Sequence, residues 1–447
     1  VKSELPGYRG KALKFLEKSG AKVGDKIKIT KGENAFKGLL MPRIALSDPN
    51  HVVIKLVSGY NIGIRADAGA KVVVLEQGEG MKEPKLPQPP VGGEALPFVL
   101  IIGTGGTIAS KVEYRTGAVF PSLSTEDLYR TVPELSKIAR VKASVLYNIF
   151  SENITPKRWG ELAEAVAAQV RESRAKGIVI AHGTDTMAYT AAALAFALQN
   201  LPIPVILVGS QRSPDRPSSD VAINLMAAVT AAVKAPFAEV TIAMHSWISD
   251  ETVSIHRATK VRKCHTSRRD AFQSINATPI GEVRGGEVKM LTTDYKPRGD
   301  AGKLKVESKF DDKVALVKFY PGFSPTLIDR LVADGYRGIV FEGTGLGHIS
   351  QSCFDAVERA AAKGLVLAMT SQCIWGEVRM TVYDTGRDLL SRGVIPLGDM
   401  LPETAVVKMM WALGKTQRRN DVEELMKANL AGEYSAGRFP EQRRGVA

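Results

Sequence analysis

An α/β fold preceded by a small all-β barrel domain is what the sequence predicts, and three observations predict it. From residue 98 to 246, apolar runs ("FVLIIG", "IVIAHG", "PVILVG", "EVTIAMHS") alternate with helical stretches, the order of a parallel sheet covered on both faces. Residues 22–76 carry shorter runs instead: "KIKIT" and "HVVIKLV" alternate, "AKVVVLE" is nearly continuous, and turn-rich segments separate them. Several short strands at that spacing predict a small closed barrel. Between the two regions, "QGEGMKEPKLPQPPVGGEALP" (77–97) is dense in Gly and Pro and reads as a semi-extended linker.

The elements follow in order. The run "ARVKASVLYNIF" (139–150) reads as a strand after "FVLIIG". "TPKRWGELAEAVAAQVRESRAKG" offers Thr155 as N-cap, Pro156 in the first turn and Gly177 at the end, so a helix fits. Further helices are expected from about Thr186 to Gln199 and near 219–234. Residues 281–311 are charged and dotted with glycine, without clear periodicity. A second alternating set then runs through "KVALVKFY", "SPTLIDRLVADG", "YRGIVFEG", "SQSCFDAVERAAAKG" and "LVLAMTSQC", and the tail carries one amphipathic segment, "NDVEELMKANLAGEY". The resulting organisation is a barrel domain over 1–78, a linker over 79–96 and a large α/β domain over 97–290. A connecting segment over 291–312 and a smaller α/β domain with a helical tail over 313–447 complete it.

Composition narrows the class. At 447 residues, 44% apolar and 24% charged, the chain has the make-up of an ordinary soluble globular protein. No apolar run approaches the roughly 18 residues that span a bilayer, and the charged N-terminal stretch "VKSELPGYRGKALKFLEKSG" is not a secretory signal. Three scattered cysteines (Cys264, Cys353, Cys373) argue against a disulfide framework and for a reducing cytoplasm. The six histidines form no HExxH, and Cys264–His265 has no CxxC partner, so no metal is expected. Net charge is +13, and residues 1–90 hold 16 Lys/Arg against 9 Asp/Glu. That imbalance suits RNA or another polyanion as partner, and equally suits mere solubility.

Chemistry is expected beyond the carboxyl ends of the strands. Three such ends carry small polar clusters: "GTGGT" after residue 102, "SEN" after Phe150, and "AHGTDTM" after Ile180, with the two threonine turns placed two strand ends apart. "GTGGTI" departs from the dinucleotide fingerprint, since Ile108 takes the third glycine position and no helical period follows; a P-loop is excluded because no Gly-Lys-Ser/Thr follows. Thr184 and Asp185 lie where a strand turns into a helix, so free backbone N–H groups would hold a carboxylate there and Asp185 would accept from an ammonium. Simple helix capping explains the same residues. A threonine hydroxyl attacks only when something removes its proton. His182 has no evident placement for that, and a desolvated lysine would serve. The stretch "RATKVRKCHTSRRDAF" (257–272) offers four Lys/Arg before Cys264, and composition does not choose among them.

Taken together, "IGTGGTIAS", "AHGTDTM", "VGSQRSPDRPSSDVAINL" and "KCHTSRRDAFQS" resemble the L-asparaginase/glutaminase family of amidohydrolases, over about residues 97–414. The resemblance implies an asparaginase-like two-domain core and carries over a catalytic set: Thr104, Thr184, Asp185 and, nine residues before the Phe of "DAF", Lys263. It makes Tyr114 the mobile-loop tyrosine, Ser151 the carboxylate-binding serine, and Glu152 a neighbour of the substrate ammonium. Where secreted bacterial members take an acid and an Asn from a neighbouring subunit, "RMTVYDTG" and "EGTGLGHIS" stand here, with Tyr383 and Leu346 nearest.

The added barrel resembles the archaeal tRNA-dependent amidotransferase branch. That implies glutamine as substrate, and ammonia passed to an E-type partner subunit that uses ATP and Mg to amidate glutamate on tRNA. A homodimer of this chain is implied, with tRNA bound mainly by the partner and no cofactor in the chain itself. A stand-alone cytoplasmic asparaginase is the alternative. A non-catalytic RNA-binding scaffold would be expected to have lost Thr104, Thr184, Asp185 and Lys263, all of which are present.

Overall fold

The structure, a computed structural model, describes residues 5–43, 48–56, 61–67, 69–78, 96–105, 110–113, 118–121, 124–212 and 218–435. Tyr114, most of the Gly/Pro linker and the end of the tail lie outside these residues.

Ahead of the strand region the chain forms helix α1 (Gly10–Glu17), with Ala12 and Leu16 one turn apart and buried. Five strands follow: β1 (Lys26–Lys31), β2 (Asn34–Leu40), β3 (His51–Lys55), β4 (Asn61–Arg65) and β5 (Ala70–Glu76). They pair antiparallel in the order β4-β3-β2-β1-β5. Ile27, Ile29, Leu40, Val52, Ile54 and Ile64 pack with α1 in one core, which is why these strands alternate.

The large domain is built on β6 (Phe98–Gly103), which is followed by the hairpin β7 (Ser110–Glu113) and β8 (Ala118–Pro121) and by α2 (Thr125–Thr131). Then come β9 (Arg140–Val145), α3 (Pro156–Glu172), β10 (Gly177–Ala181), α4 (Met187–Ala197), the short β11 (Leu198–Gln199), β12 (Val205–Val208), α5 (Val221–Lys234) and β13 (Val240–His245). β9, β6, β10, β12 and β13 are parallel neighbours in that order. Along β6, Val99 and Ile101 face the α5 side while Leu100 and Ile102 face α3 and α4, so both faces are covered and the run is wholly apolar. β9 is shorter than the predicted strand. After Val145 the chain turns in, and Leu146 N–H donates to Gly103 O at 2.8 Å.

The sheet is mixed rather than parallel throughout. β14 (Thr252–Arg257) returns through a short loop, too short for a crossover, and so pairs antiparallel with β13. The segment expected to lack periodicity adds a hairpin, β17 (Gly281–Arg284) and β18 (Glu287–Met290), turned by Gly285 and Gly286 at φ +56° and +80°. Between these lie β15 (Val261–Lys263) and β16 (Phe272–Ser274), a two-stranded ribbon outside the main sheet, and after them β19 (Lys305–Val306) pairs with β11.

The smaller domain has the parallel order β20 (Val314–Lys318), β21 (Gly338–Gly343), β22 (Val366–Ser371), β23 (Val394–Pro396). Helices α6 (Thr326–Ala333), α7 (Phe354–Ala362), α8 (Asp384–Ser391), α9 (Pro402–Lys415) and α10 (Arg419–Lys427) complete it. α9 packs against α4 of the large domain, where Phe196 stacks on Trp411 with centroids 5.8 Å apart. Among the described residues no helix is long and apolar enough to cross a membrane.

Candidate active site

β6 and β10 are adjacent, with Gly103 opposite Ala181. The two threonine-bearing turns therefore open side by side, not two strand ends apart, because the α3 crossover returns the chain beside β6 and leaves β9 outside. Thr104 is 1% exposed, and both its N–H and its Oγ1 donate to Ala181 O at 3.0 Å. The next residue must be glycine: Gly105 has φ +108°, and a Cβ there would lie 2.1 Å from Ile149 O.

The turn after β10 carries Thr184 and Asp185. Lys263, at the end of β15, donates from Nζ to Thr184 Oγ1 at 2.9 Å and to Asp185 Oδ1 at 2.7 Å. The Lys263 side chain is 14% exposed and that of Asp185 70%, so the amine is sheltered while its carboxylate partner faces solvent. Thr184 is itself buried and is backed by Gly209 at the end of β12, where an added Cβ would stand 2.7 Å from Thr184 Cγ2.

Ser151 begins a short 3-10 turn and is buried against Gly183, whose missing Cβ would fall 3.0 Å from Ser151 Oγ. Thr186 Oγ1 donates to Ser151 O at 2.6 Å and ties this turn to the start of α4. Glu152 is exposed beside it. Thr184, Asp185 and Lys263 are thus in mutual contact, with Thr104 and Ser151 on the neighbouring turns. Tyr114 lies outside the described residues.

His182 has a structural setting. It is 1% exposed, with Nδ1 on Gly183 O at 2.6 Å and Nε2 on Thr190 Oγ1 at 2.9 Å. Trp159 Nε1 donates to that same Thr190 oxygen, so Thr190 gives its proton to Nε2 and Nδ1–H donates to Gly183 O. Burial holds this imidazole down to about 4, hence neutral.

A buried polar chain that sequence reasoning missed supports the loop after β12. Asp220 accepts from the N–H groups of Gln211 and Arg212 at 2.9 Å and from Asn224 Nδ2 at 3.0 Å. His245 Nδ1 meets Asn224 Oδ1 at 2.6 Å, and its Nε2 faces Asp250 Oδ1 at 3.3 Å. Burial lowers the His245 pKa against the pull of Asp250. Arg269 pairs with Asp250 and donates to Ser218 O at 2.7 Å, linking the loop to the segment just after Lys263. The only local signal was Asp220 ahead of an apolar helix, which reads as an N-cap.

Leu346 follows the carboxyl end of β21 and Tyr383 precedes α8, after the carboxyl end of β22. Tyr383 is 59% exposed and packs edge-on against His348, while Leu346 O accepts from Arg379 N–H at 2.9 Å. Among the described residues no three His, Cys, Asp or Glu side chains cluster as a metal site would require.

The fold is of the asparaginase/glutaminase class. Residues 98–296 match the family model "Asparaginase, N-terminal", residues 313–426 the "Glutaminase/Asparaginase C-terminal domain", and residues 21–75 the "GatD N-terminal domain". The thermostable L-asparaginase from Thermococcus kodakarensis superimposes with a TM-score of 0.68 at 35% identity, covering 76% of this chain and all of that one. L-asparaginase I from Vibrio cholerae does so with a TM-score of 0.67 at 29% identity and the same coverages. Two relatives are similar over nearly the whole chain, and both are D-type subunits of glutamyl-tRNA(Gln) amidotransferase. That of Metallosphaera sedula is 51% identical, over 96% of this chain and 97% of its own. That of Thermofilum pendens is 49% identical, over 96% of each. The chain belongs to the family of glutamyl-tRNA(Gln) amidotransferase D-type subunits, within the asparaginase/glutaminase amidohydrolases.

Proposed function

We propose that this chain is the glutaminase component of a tRNA-dependent amidotransferase: it hydrolyses glutamine to glutamate and passes the ammonia to a partner subunit that amidates Glu-tRNA(Gln). The observation that carries the chemistry is Lys263 Nζ at hydrogen-bond distance from both Thr184 Oγ1 and Asp185 Oδ1. The observation that carries the assignment to a complex is full-length similarity to the D-type subunits, including the sheet domain over 21–75. The similarity to stand-alone L-asparaginases covers 76% of the chain and sustains a second reading, a free asparaginase.

In the proposed reaction the glutamine α-carboxylate sits at the α4 start and Ser151, and its ammonium near Asp185 and Glu152. Tyr114 is a further substrate-binding residue in this scheme. The Thr104 hydroxyl turns from Ala181 O and attacks the side-chain amide carbon, while backbone N–H groups of the glycine turn receive the oxyanion. Lys263, oriented by Asp185 and acting as the neutral amine, takes the Thr104 hydroxyl proton by way of Thr184 and returns it to the departing nitrogen. The C–N bond breaks, ammonia leaves, and water then cleaves the Thr104 ester to release glutamate. ATP and Mg belong to the partner subunit in this scheme, and this chain pairs with a second copy of itself.

Thr104→Val tests it. Glutamine-dependent amidation by the complex should vanish while ammonium salts still support it, and retained glutaminase activity would refute the nucleophile assignment. Thr184→Val that still releases one equivalent of ammonia per site would assign the attack to Thr104. Brisk asparagine turnover by the isolated chain, with no gain on adding the partner, would favour the free asparaginase.

A further inference from the structure

Lys263 is carried by a ribbon that the main sheet does not hold. The only strand paired with β15 among the described residues is β16, through Lys263 opposite Phe272. The segment leading to Lys263 is instead fastened by the smaller domain. Thr404 Oγ1 donates to Thr259 O at 2.9 Å, Lys260 Nζ meets Asp399 Oδ2 at 2.6 Å, and Arg262 Nε meets Glu403 Oε1 at 2.9 Å. Thr259 Oγ1 in turn donates to Ala431 O at 2.9 Å. All four anchors come from the α9 start or the segment after α10.

We propose that Glu403, acting through Arg262, is a positioning residue that sets where Lys263 Nζ stands between Thr184 and Asp185. The argument is the alternation of a strand. Side chains at successive positions leave opposite faces, so Val261 and Lys263 share one face and Arg262 the other. Val261 is buried in the large-domain core, and Lys263 reaches Thr184 on that side. Arg262 therefore points at the smaller domain, where the carboxylate at the head of α9 receives it. The strand is held from both faces, and rotating Arg262 off Glu403 turns Lys263 off Thr184. Burial matters too: the Glu403 side chain is 10% exposed and that of Arg262 25%, so the pair is little screened by solvent. Burial raises the Glu403 pKa, and the Arg262 guanidinium opposes that rise. Lys260–Asp399 fixes the strand one step earlier and keeps the ribbon in place while Arg262 sets its twist.

The inference rests on the reading of Lys263 as part of the reaction, and its test separates the two. The double variant R262M/E403M removes both charges of the pair together, so neither is left buried without the other and the chain should fold. In the assembled complex, glutamine hydrolysis by this variant should fall about tenfold in kcat with KM for glutamine nearly unchanged. R262K, which keeps a cation opposite Glu403, should recover most of that loss relative to R262M. Independently of turnover, labelling of Lys263 Nζ by an amine-reactive reagent, followed by mass spectrometry, should quicken severalfold in R262M/E403M while labelling of exposed lysines stays constant. Unchanged Lys263 labelling in the folded double variant overturns the proposal whatever the activity. Parent-like glutamine hydrolysis by K263A would instead overturn the catalytic reading, with the labelling result still deciding the positioning claim.

Discussion

Gly209→Ala probes the site without touching any of its polar groups. A methyl at that position would stand 2.7 Å from Thr184 Cγ2 and 2.9 Å from His182 O. Carbon atoms rest at about 3.5–4.0 Å, so roughly 1 Å must be found. The backbone side has little to give, because His182 N–H is locked to Val208 O at 3.0 Å. Thr184 must move, and its Oγ1 then leaves Lys263 Nζ, now 2.9 Å away. A reacting group displaced by about 1 Å costs on the order of 10²-fold in rate, or about 2.7 kcal/mol of barrier. Overpacking adds a stability loss of about 1–3 kcal/mol. The assay is steady-state ammonia release from glutamine by the complex, with urea unfolding run alongside. Thr184→Ser keeps the hydroxyl and deletes Cγ2, the atom in the way. In the double variant the serine should therefore restore most of the activity lost by Gly209→Ala alone, a coupling that a double-mutant cycle reads directly. Gly209→Ala within twofold of the parent, or a serine that fails to relieve it, would refute the claim that Thr184 is held in register by the missing side chain.

Two further outcomes concern stability. Lys408 and Glu433 form a pair with both side chains fully buried, Nζ to Oε1 at 2.6 Å, and Glu433 also accepts from the N–H groups of Leu430 and Ala431 at 2.7–3.1 Å. Glu433→Gln, which leaves the buried Lys408 ammonium without its counter-charge, should cost about 3–5 kcal/mol in denaturant unfolding, and a loss within about 1 kcal/mol of zero would contradict the reasoning. The buried His182, held down to about 4, makes stability depend on pH. Its folded pKa lies below the unfolded value of about 6.5, so the unfolded chain binds the extra proton between those values. His182 therefore places no pH penalty on folding above about pH 6.5 and costs up to about 3 kcal/mol as pH falls towards 4. H182N should flatten that part of the stability–pH curve, and an unchanged slope would show that other groups carry it.

Much of this architecture can be read along the chain because it is local. The strands that bear the site are continuous apolar runs, and Thr184 and Asp185 sit where such a run must turn into a helix. The β17–β18 hairpin was missed although its signal is local: "GEVRGGEVKM" holds a Gly-Gly pair between short alternating runs, and the surrounding charge masks that two-residue turn. The cations of 257–263 are of another kind. Residue type and spacing alone leave four candidates, and a solvated basic loop is the ordinary meaning of such a run. In the fold each finds its own carboxylate from a different segment: Arg257 on Glu239, Lys260 on Asp399, Arg262 on Glu403, Lys263 on Asp185. Only the last of these carboxylates stands beside a threonine at the carboxyl edge of the parallel strands. What singles out Lys263 is therefore not its type or its neighbours in sequence but which acid the tertiary structure brings to it. All four pairings are long-range contacts that no local pattern encodes, and two of the carboxylates come from the smaller domain. A substitution at Asp399 or Glu403, more than a hundred residues along the chain, is for that reason expected to act on the same strand as one at Lys260 or Arg262.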